Sequence, residues 1–258
     1  MEINSQTQLC CIIGNPVEHS LSPTIHNAAY DNLGLNFVYL SFRVTDVKNA
    51  IAGIRALGIK GISITIPHKI TVMPLLDEID KSAKEIGAVN TIINNNGKLK
   101  GFNTDYKGAI RALEEKTTLT GKHVVLLGKG GAGKAIAFGL KEKNASVFIV
   151  NRAIEKTKVL AEIKKADILI NATPIGMHPK TEESLIPKKY LHKNLIVFDI
   201  VYNPKETKLL KYAKEAGCAI VYGYKMLLYQ AVSQFELFTN HKAPVAIMEE
   251  ALLLCLNS

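Results

Sequence analysis

Short apolar runs alternate with amphipathic stretches along the first half of the chain. Residues 9–13 are continuously apolar, as expected of a strand buried on both faces. Residues 22–33 carry a helical pattern, with Ser22 as the expected N-cap and Pro23 at the first helical position. A strand is predicted over 36–42, a helix over 46–57 capped by Asp46, and a strand over 60–65 that stops at Pro67. Residues 88–93 and 99–103 predict a hairpin around the turn cluster Asn94-Asn95-Asn96-Gly97. This half reads as a βαβ-type open sheet with a mixed edge. A helix over 104–115 is expected to cross between domains.

A second alternating set begins at His123. Strands are predicted over 123–127, 145–150, 167–171, 195–201 and 219–222, and helices over 134–141, 154–162 and 206–216. Helices near 225–238 and 244–257 close the chain. Each half opens with its own buried strand, which predicts two open α/β domains with a cleft between them. The expected division is 1–104 plus 239–258 for a substrate-binding domain and 105–238 for a Rossmann-like domain.

The segment Gly128-Lys129-Gly130-Gly131-Ala132-Gly133-Lys134-Ala135 sits between two phosphate-binding patterns. It has the spacing of a Walker A loop, but Ala135 replaces the hydroxyl that would ligate Mg²⁺. Gly128, Gly130 and Gly133 instead complete G-x-G-x-x-G, between a predicted strand and a predicted helix. Dinucleotide binding is the favoured reading over an NTPase or a purely structural glycine turn. After the next strand, Asn151-Arg152 stands where an NAD site carries an acidic residue for the ribose hydroxyl, and Lys156 follows. A neutral residue, an Arg and a Lys favour the 2′-phosphate of NADP; a solvated basic helix start is the plain alternative.

Composition narrows the function classes. The 258 residues carry a net charge of +9, from 32 Lys+Arg against 23 Asp+Glu, and 47% are hydrophobic. The basic residues are scattered singly, without interleaved aromatics, so small anions are better partners than nucleic acid. The four cysteines lack C-x-x-C or metal-ligand spacing and read as buried free thiols of a reducing compartment. With no leader and no apolar run of about 18 residues, the expectation is a cytoplasmic protein without membrane or metal, monomeric or homodimeric.

Several polar residues do not fit a core. Ser20 and Ser22 flank a helix mouth that could hold a carboxylate. Ser63 and Thr65 share one strand face, with Lys69 just past the strand end, where open α/β sheets bind ligands. Asn90 lies inside an apolar run and needs partners. Asn103, Thr104 and Asp105 meet the start of the crossing helix, where capping is the plain reading.

In this order, these residues resemble the shikimate dehydrogenase family over nearly the whole chain. The resemblance is carried by Gly14-Asn15-Pro16 with His19 to Pro23, Thr65 to Lys69, Gly87 to Thr91, Gly101 to Asp105, the glycine loop, Asn151-Arg152, Asn171 to Met177, and Gly223 to Ala231. It implies NADP-dependent, reversible reduction of 3-dehydroshikimate to shikimate. Ser20 and Ser22 would hold the substrate carboxylate; Thr65, Asn90, Asp105, Tyr202 and Gln230 would surround the ring. Lys69 and Asp105 would be the catalytic pair, and Thr173, Met177 and Gly223 would border the nicotinamide and its ribose. Four features depart from the family pattern. Ser63 stands where Asn is frequent, Ala153 where Thr is usual, and Lys129 where a small residue is common. The chain also runs almost directly from Glu162 to the strand ending at Asn171, which predicts a cofactor sheet of about five strands, short of one edge strand. A relaxed quinate/shikimate dehydrogenase and a non-catalytic ligand sensor are the rival readings.

Overall fold

The computed structural model describes residues 2–151 and 154–257, in two compact units. One comprises the chain up to Thr104 and again from Gln230 onward; the other runs from Asp105 to Tyr229.

In the first unit the elements are β1 (Gln8–Gly14), α1 (Ser22–Asn32), β2 (Phe37–Arg43), α2 (Val47–Ala56), β3 (Gly61–Ile64), β4 (Glu78–Ile79), α3 (Lys81–Ile86), β5 (Thr91–Asn95) and β6 (Lys98–Phe102). The sheet order is β2-β1-β3-β5-β6-β4. β1 runs parallel to both β2 and β3, whereas β5 is antiparallel to β3 and to β6. Alternation along the strands divides the core. Cys11, Ile13, Ile62 and Ile64 pack with Ile51 and Ile54 of α2. Burial pushes the Cys10 thiol up to about 12, so it is inert at neutral pH.

The hairpin turns on Asn96 and Gly97, at φ 51° and 87°, as a two-residue loop of this kind requires. Its first strand starts at Thr91, so Asn90 precedes the strand rather than lying within it. The short helix α3 escapes the periodicity because its six residues are mostly polar. Its ends are nonetheless marked: the Asp80 carboxylate accepts from Ser82 N–H, and Gly87 closes it at φ 72°.

In the second unit the elements are α4 (Asp105–Glu114), β7 (His123–Leu127), α5 (Gly131–Glu142), β8 (Ser146–Val150), α6 (Lys156–Ile163), β9 (Ile168–Asn171), β10 (Ile196–Asp199), α7 (Lys208–Glu215) and β11 (Ala219–Val221). All five strands are parallel, in the order β11-β10-β9-β7-β8. β8 is the edge strand, as the short connection after Glu162 predicted. One face of the sheet packs Val125, Leu127, Leu169 and Val197 against α6 and α7. Each such fully buried aliphatic side chain contributes about 1.5–3 kcal/mol.

Two helices follow, α8 (Gly223–Thr239) and α9 (Val245–Asn257). The chain returns to the first unit at Gln230, inside α8, rather than at 239. The reason is packing: Phe235 contacts the rings of His26 and Tyr30, and Phe238 lies over Gly61, all in the first unit. Among the described residues no helix is long and apolar enough to cross a membrane. Cys10 and Cys11 are buried, while Cys218 and Cys255 are partly exposed, so the expectation of four buried thiols holds for two.

Candidate active site

In the first unit the chain reverses direction beside β1, with β2 on one side and β3 on the other. Ligands of open α/β sheets bind at such a switch point, beyond the strands' carboxyl ends. The segments after β1 and β3 are tied together there: Asn15 N–H donates to Ile66 O (2.9 Å) and Thr65 N–H to Ile13 O (3.0 Å). Gly14 permits this approach, because a Cβ at that position would collide with the Thr65 side chain. His68 anchors the next turn by donating from Nε2 to Val44 O (2.8 Å). Lys69 O accepts from Val89 N–H (2.8 Å), which fixes the backbone of this half-buried lysine.

Ser22 is not the N-cap expected of it. Leu21 is the N-cap, already in the right-handed helical region at φ −86° and ψ −3°, so Ser22 is the first helical residue. Ser20 Oγ accepts from Ser22 N–H (3.3 Å), which is the bond a capping side chain makes. Ser22 is buried, and its hydroxyl reaches the Tyr39 phenol, whose pKa burial raises well above its usual range.

Asn90 sits where β3 and β6 end. Ile64 N–H donates to its carbonyl (2.8 Å), and its own N–H donates to Phe102 O (3.0 Å). Its side-chain oxygen accepts from Thr104 N–H (2.7 Å) and from the Thr91 hydroxyl (2.8 Å), and its amide donates to Thr104 Oγ1 (3.0 Å). Asn103 donates to Ala88 O (3.0 Å) and is a structural tie. Thr65, Lys69, Asn90 and the pair Ser20/Ser22 therefore belong to neighbouring ends of one sheet.

In the second unit the switch point lies between β7 and β9. Gly128 follows β7 at φ 106°, a conformation suited to glycine, and a Cβ there would sit 2.8 Å from Ala172 O. A Cβ on Gly133 would collide with the Gly128 carbonyl. The turn is therefore as tight as a dinucleotide fingerprint demands, and this cradle fits a pyrophosphate. Gly130 is the N-cap of α5, which leaves the N–H groups of Gly131, Ala132 and Gly133 at the mouth of a twelve-residue helix, where anions are favoured. Asn151 follows the end of β8, and Lys156 opens α6; both are exposed. Arg152 lies outside the described residues.

The loop after β9 is held by residues that periodicity alone does not reveal. Asn171 Oδ1 accepts from Thr173 N–H (3.1 Å) and from the Thr173 hydroxyl (2.7 Å). Its Nδ2 donates to Asp199 Oδ1 (2.9 Å) and Ile175 O (3.2 Å). Asp199, fully buried at the end of β10, also accepts from Val201 N–H (3.1 Å) and the Thr207 hydroxyl (2.6 Å). Thr173 is thus fixed at the switch point. Met177 on the same loop is exposed, Tyr202 follows β10, and Gly223 begins α8.

Burial pushes Asp199 up to about 6 from an ordinary 3.8, against the pull of Thr207, Val201 and Asn171. A raised carboxyl pKa contributes stability that is complete below pH 3.8 and lost as pH rises through 6. The shift corresponds to about 3 kcal/mol. Asp199→Asn keeps an oxygen for Asn171 and Val201 and turns an amide toward Thr207. It should therefore be more stable than wild type at pH 7.5 and similar at pH 4, by urea denaturation. A variant less stable than wild type at pH 7.5 would show that the carboxylate's hydrogen bonds outweigh its burial.

The second unit, with its 2-1-3-4-5 parallel sheet and glycine turn, defines a dinucleotide-binding protein of the doubly wound type. Comparisons make the assignment more specific. Residues 12–92 match the shikimate dehydrogenase substrate binding domain, and residues 223–253 the shikimate 5'-dehydrogenase C-terminal domain. Residues 105–216 match the NAD(P)-binding domain of tetrahydrofolate dehydrogenase/cyclohydrolase. The shikimate dehydrogenase (NADP(+)) of Methanobrevibacter smithii is 46% identical, over 97% of this chain and 98% of its own. That of Pyrococcus furiosus is also 46% identical, over 97% of each chain. A crystal structure of a shikimate dehydrogenase in complex with NADP+ superposes with a TM-score of 0.93 at 40% identity, covering 100% of this chain and 98% of its own. The chain belongs to the shikimate dehydrogenase family.

Proposed function

We propose that the protein catalyses the NADPH-dependent, reversible reduction of 3-dehydroshikimate to shikimate. The observation that carries this reading is the gathering of Ser20, Ser22, Thr65, Lys69 and Asn90 at neighbouring strand ends of one sheet in a member of this family. Ser20 and Ser22 receive the carboxylate; Thr65, Asn90, Asp105, Tyr202 and Gln230 surround the ring hydroxyls. The bound nicotinamide supplies a hydride to the ketone carbon. Negative charge then builds on the ketone oxygen, where Lys69 presents a donor that Asp105 aims.

The cradle formed by Gly128, Gly130, Gly131, Ala132 and Gly133 takes the pyrophosphate, and Thr173, Met177 and Gly223 border the nicotinamide ribose and ring. Asn151, Arg152 and Lys156 favour a 2′-phosphate, so NADP⁺ is the cofactor. The division of labour follows the units, with substrate groups mainly on the first and cofactor groups on the second. The protein acts in the cytoplasm, as a monomer or homodimer.

The test is purified protein with shikimate and NADP⁺, followed at 340 nm, beside parallel reactions with quinate and with NAD⁺. Turnover on shikimate with NADP⁺ well above the other three combinations is expected. Equal rates with both cofactors would overturn the NADP assignment, and no turnover on shikimate would overturn the reaction.

A further inference from the structure

Gln234 is 1% exposed, near the middle of α8, and its amide is fully engaged by Ser63 of β3 and by Asn90 and Thr91 where β5 begins. Its Oε1 accepts from the Ser63 hydroxyl (2.8 Å). Its Nε2 donates to Thr91 Oγ1 (3.0 Å) and to Asn90 O (3.3 Å). Ser63 in turn accepts from the Tyr39 phenol (2.6 Å). The hydrogens run one way. Tyr39 has a single hydrogen and gives it to Ser63, so Ser63 gives its own to Gln234. That turns the Gln234 amide nitrogen toward Thr91, which leaves Thr91 its own hydrogen for Asn90 Oδ1 (2.8 Å).

The elements joined by this relay carry three of the five proposed ring contacts, Gln230, Thr65 and Asn90. Gln230 lies one helical turn before Gln234, on the same face of α8. Thr65 lies two residues beyond Ser63, and Asn90 is bonded directly. A buried polar network is costly unless every member is satisfied, and an apolar core would hold the same elements at less risk. Its gain is a single register between helix and strand ends.

We propose that Gln234 is a positioning residue, which sets the spacing of Gln230, Thr65 and Asn90 around the substrate ring. The proposal rests on the function proposed above and adds a residue to it. A misplacement of about 1 Å in such a constellation costs roughly 10²-fold in rate.

The experiment separates positioning from simple stability. Gln234→Leu leaves the Ser63 and Thr91 hydroxyls without their amide partner, so it loses stability as well as activity. Adding Ser63→Ala removes one orphaned hydroxyl and leaves the Tyr39 phenol to turn its hydrogen to the Ser22 hydroxyl, so part of the melting temperature should return. If Gln234 positions the ring contacts, the double variant still shows kcat/KM for shikimate lowered roughly 10- to 100-fold, with KM for NADP⁺ close to wild type. Gln234→Glu, which can keep the Ser63 bond while losing the amide donor, should fall between wild type and Gln234→Leu. Recovery of kcat/KM in step with melting temperature, or an equal rise in both KM values, would overturn the proposal. Wild-type protein that does not turn over shikimate would instead overturn the reaction itself, and direct titration of shikimate onto wild type separates that case.

Discussion

Replacing Lys69 by alanine is expected to lower kcat for shikimate oxidation by roughly 10²–10⁴, the usual worth of a positioned proton donor or acceptor. At 1.36 kcal/mol per tenfold, that is about 3–5 kcal/mol of transition-state stabilisation. The loss should appear in kcat, with a smaller change in KM for shikimate, because the charge Lys69 answers develops on the oxygen only as hydride is transferred. The surrounding turn should survive the change. Its backbone is held by Val89 N–H on Lys69 O and by His68 on Val44 O, neither of which uses the lysine side chain. A melting temperature near wild type with a kcat near wild type would remove Lys69 from the chemistry. Asp105, 6% exposed in the first turn of α4, is expected to behave differently. Asp105→Asn should lose both rate and affinity, because the carboxylate is proposed to orient Lys69 and also to contact the ring.

The parts of this site that are local in sequence were legible in it. The turn from Gly128 to Gly133 is readable because the close approach of Gly133 to the Gly128 carbonyl is local, even though Gly128 also makes room for Ala172 O. The missing edge strand beside β8 is readable because the chain between Glu162 and Asn171 is too short to hold one. Cap geometry is less readable: that Leu21 rather than Ser22 is the N-cap of α1 shows only in the backbone angles of Leu21. The supporting networks were least accessible. Ser63 and Gln234 are bonded across 171 positions, and Asn171 and Asp199 across 28. A hydroxyl on a strand and an amide on a helix carry no mark of such partners until the sheet order is known. Ser63 departs from the family pattern beside the proposed ring contacts. Its hydroxyl accepts from Tyr39 and donates to Gln234, which accounts for it as part of the scaffold.

Acid should destabilise the first unit through His26. This side chain is fully buried on α1, stacked on Tyr39 at 4.4 Å between ring centroids and nearly parallel. Neither ring nitrogen meets a partner with hydrogen-bond geometry. Burial drives its pKa down from 6.5 to about 3, only partly offset by the Gln234 amide. A depressed pKa means that the unfolded chain takes up the proton first. The stability it represents is complete above pH 6.5 and is lost as pH falls toward 3. The full shift corresponds to about 5 kcal/mol, of which about 3 kcal/mol is gone by pH 4. Typical domains are stable by only about 5–15 kcal/mol, so this one group is a substantial fraction of the total. The rings around it, Tyr30, Tyr39, Phe235 and Phe238, carry no charge in this range, since burial also raises the pKa of both tyrosines. His26→Leu removes the titrating group and the orphaned ring nitrogens while keeping the site apolar. Between pH 7 and pH 4 the variant should lose about 3 kcal/mol less than wild type in urea denaturation followed by circular dichroism. Subtracting the two pH profiles cancels the titration of every other group, Asp199 included. Parallel profiles would mean that His26 protonates in the folded protein without resistance, and that the core around Tyr39 admits a charge.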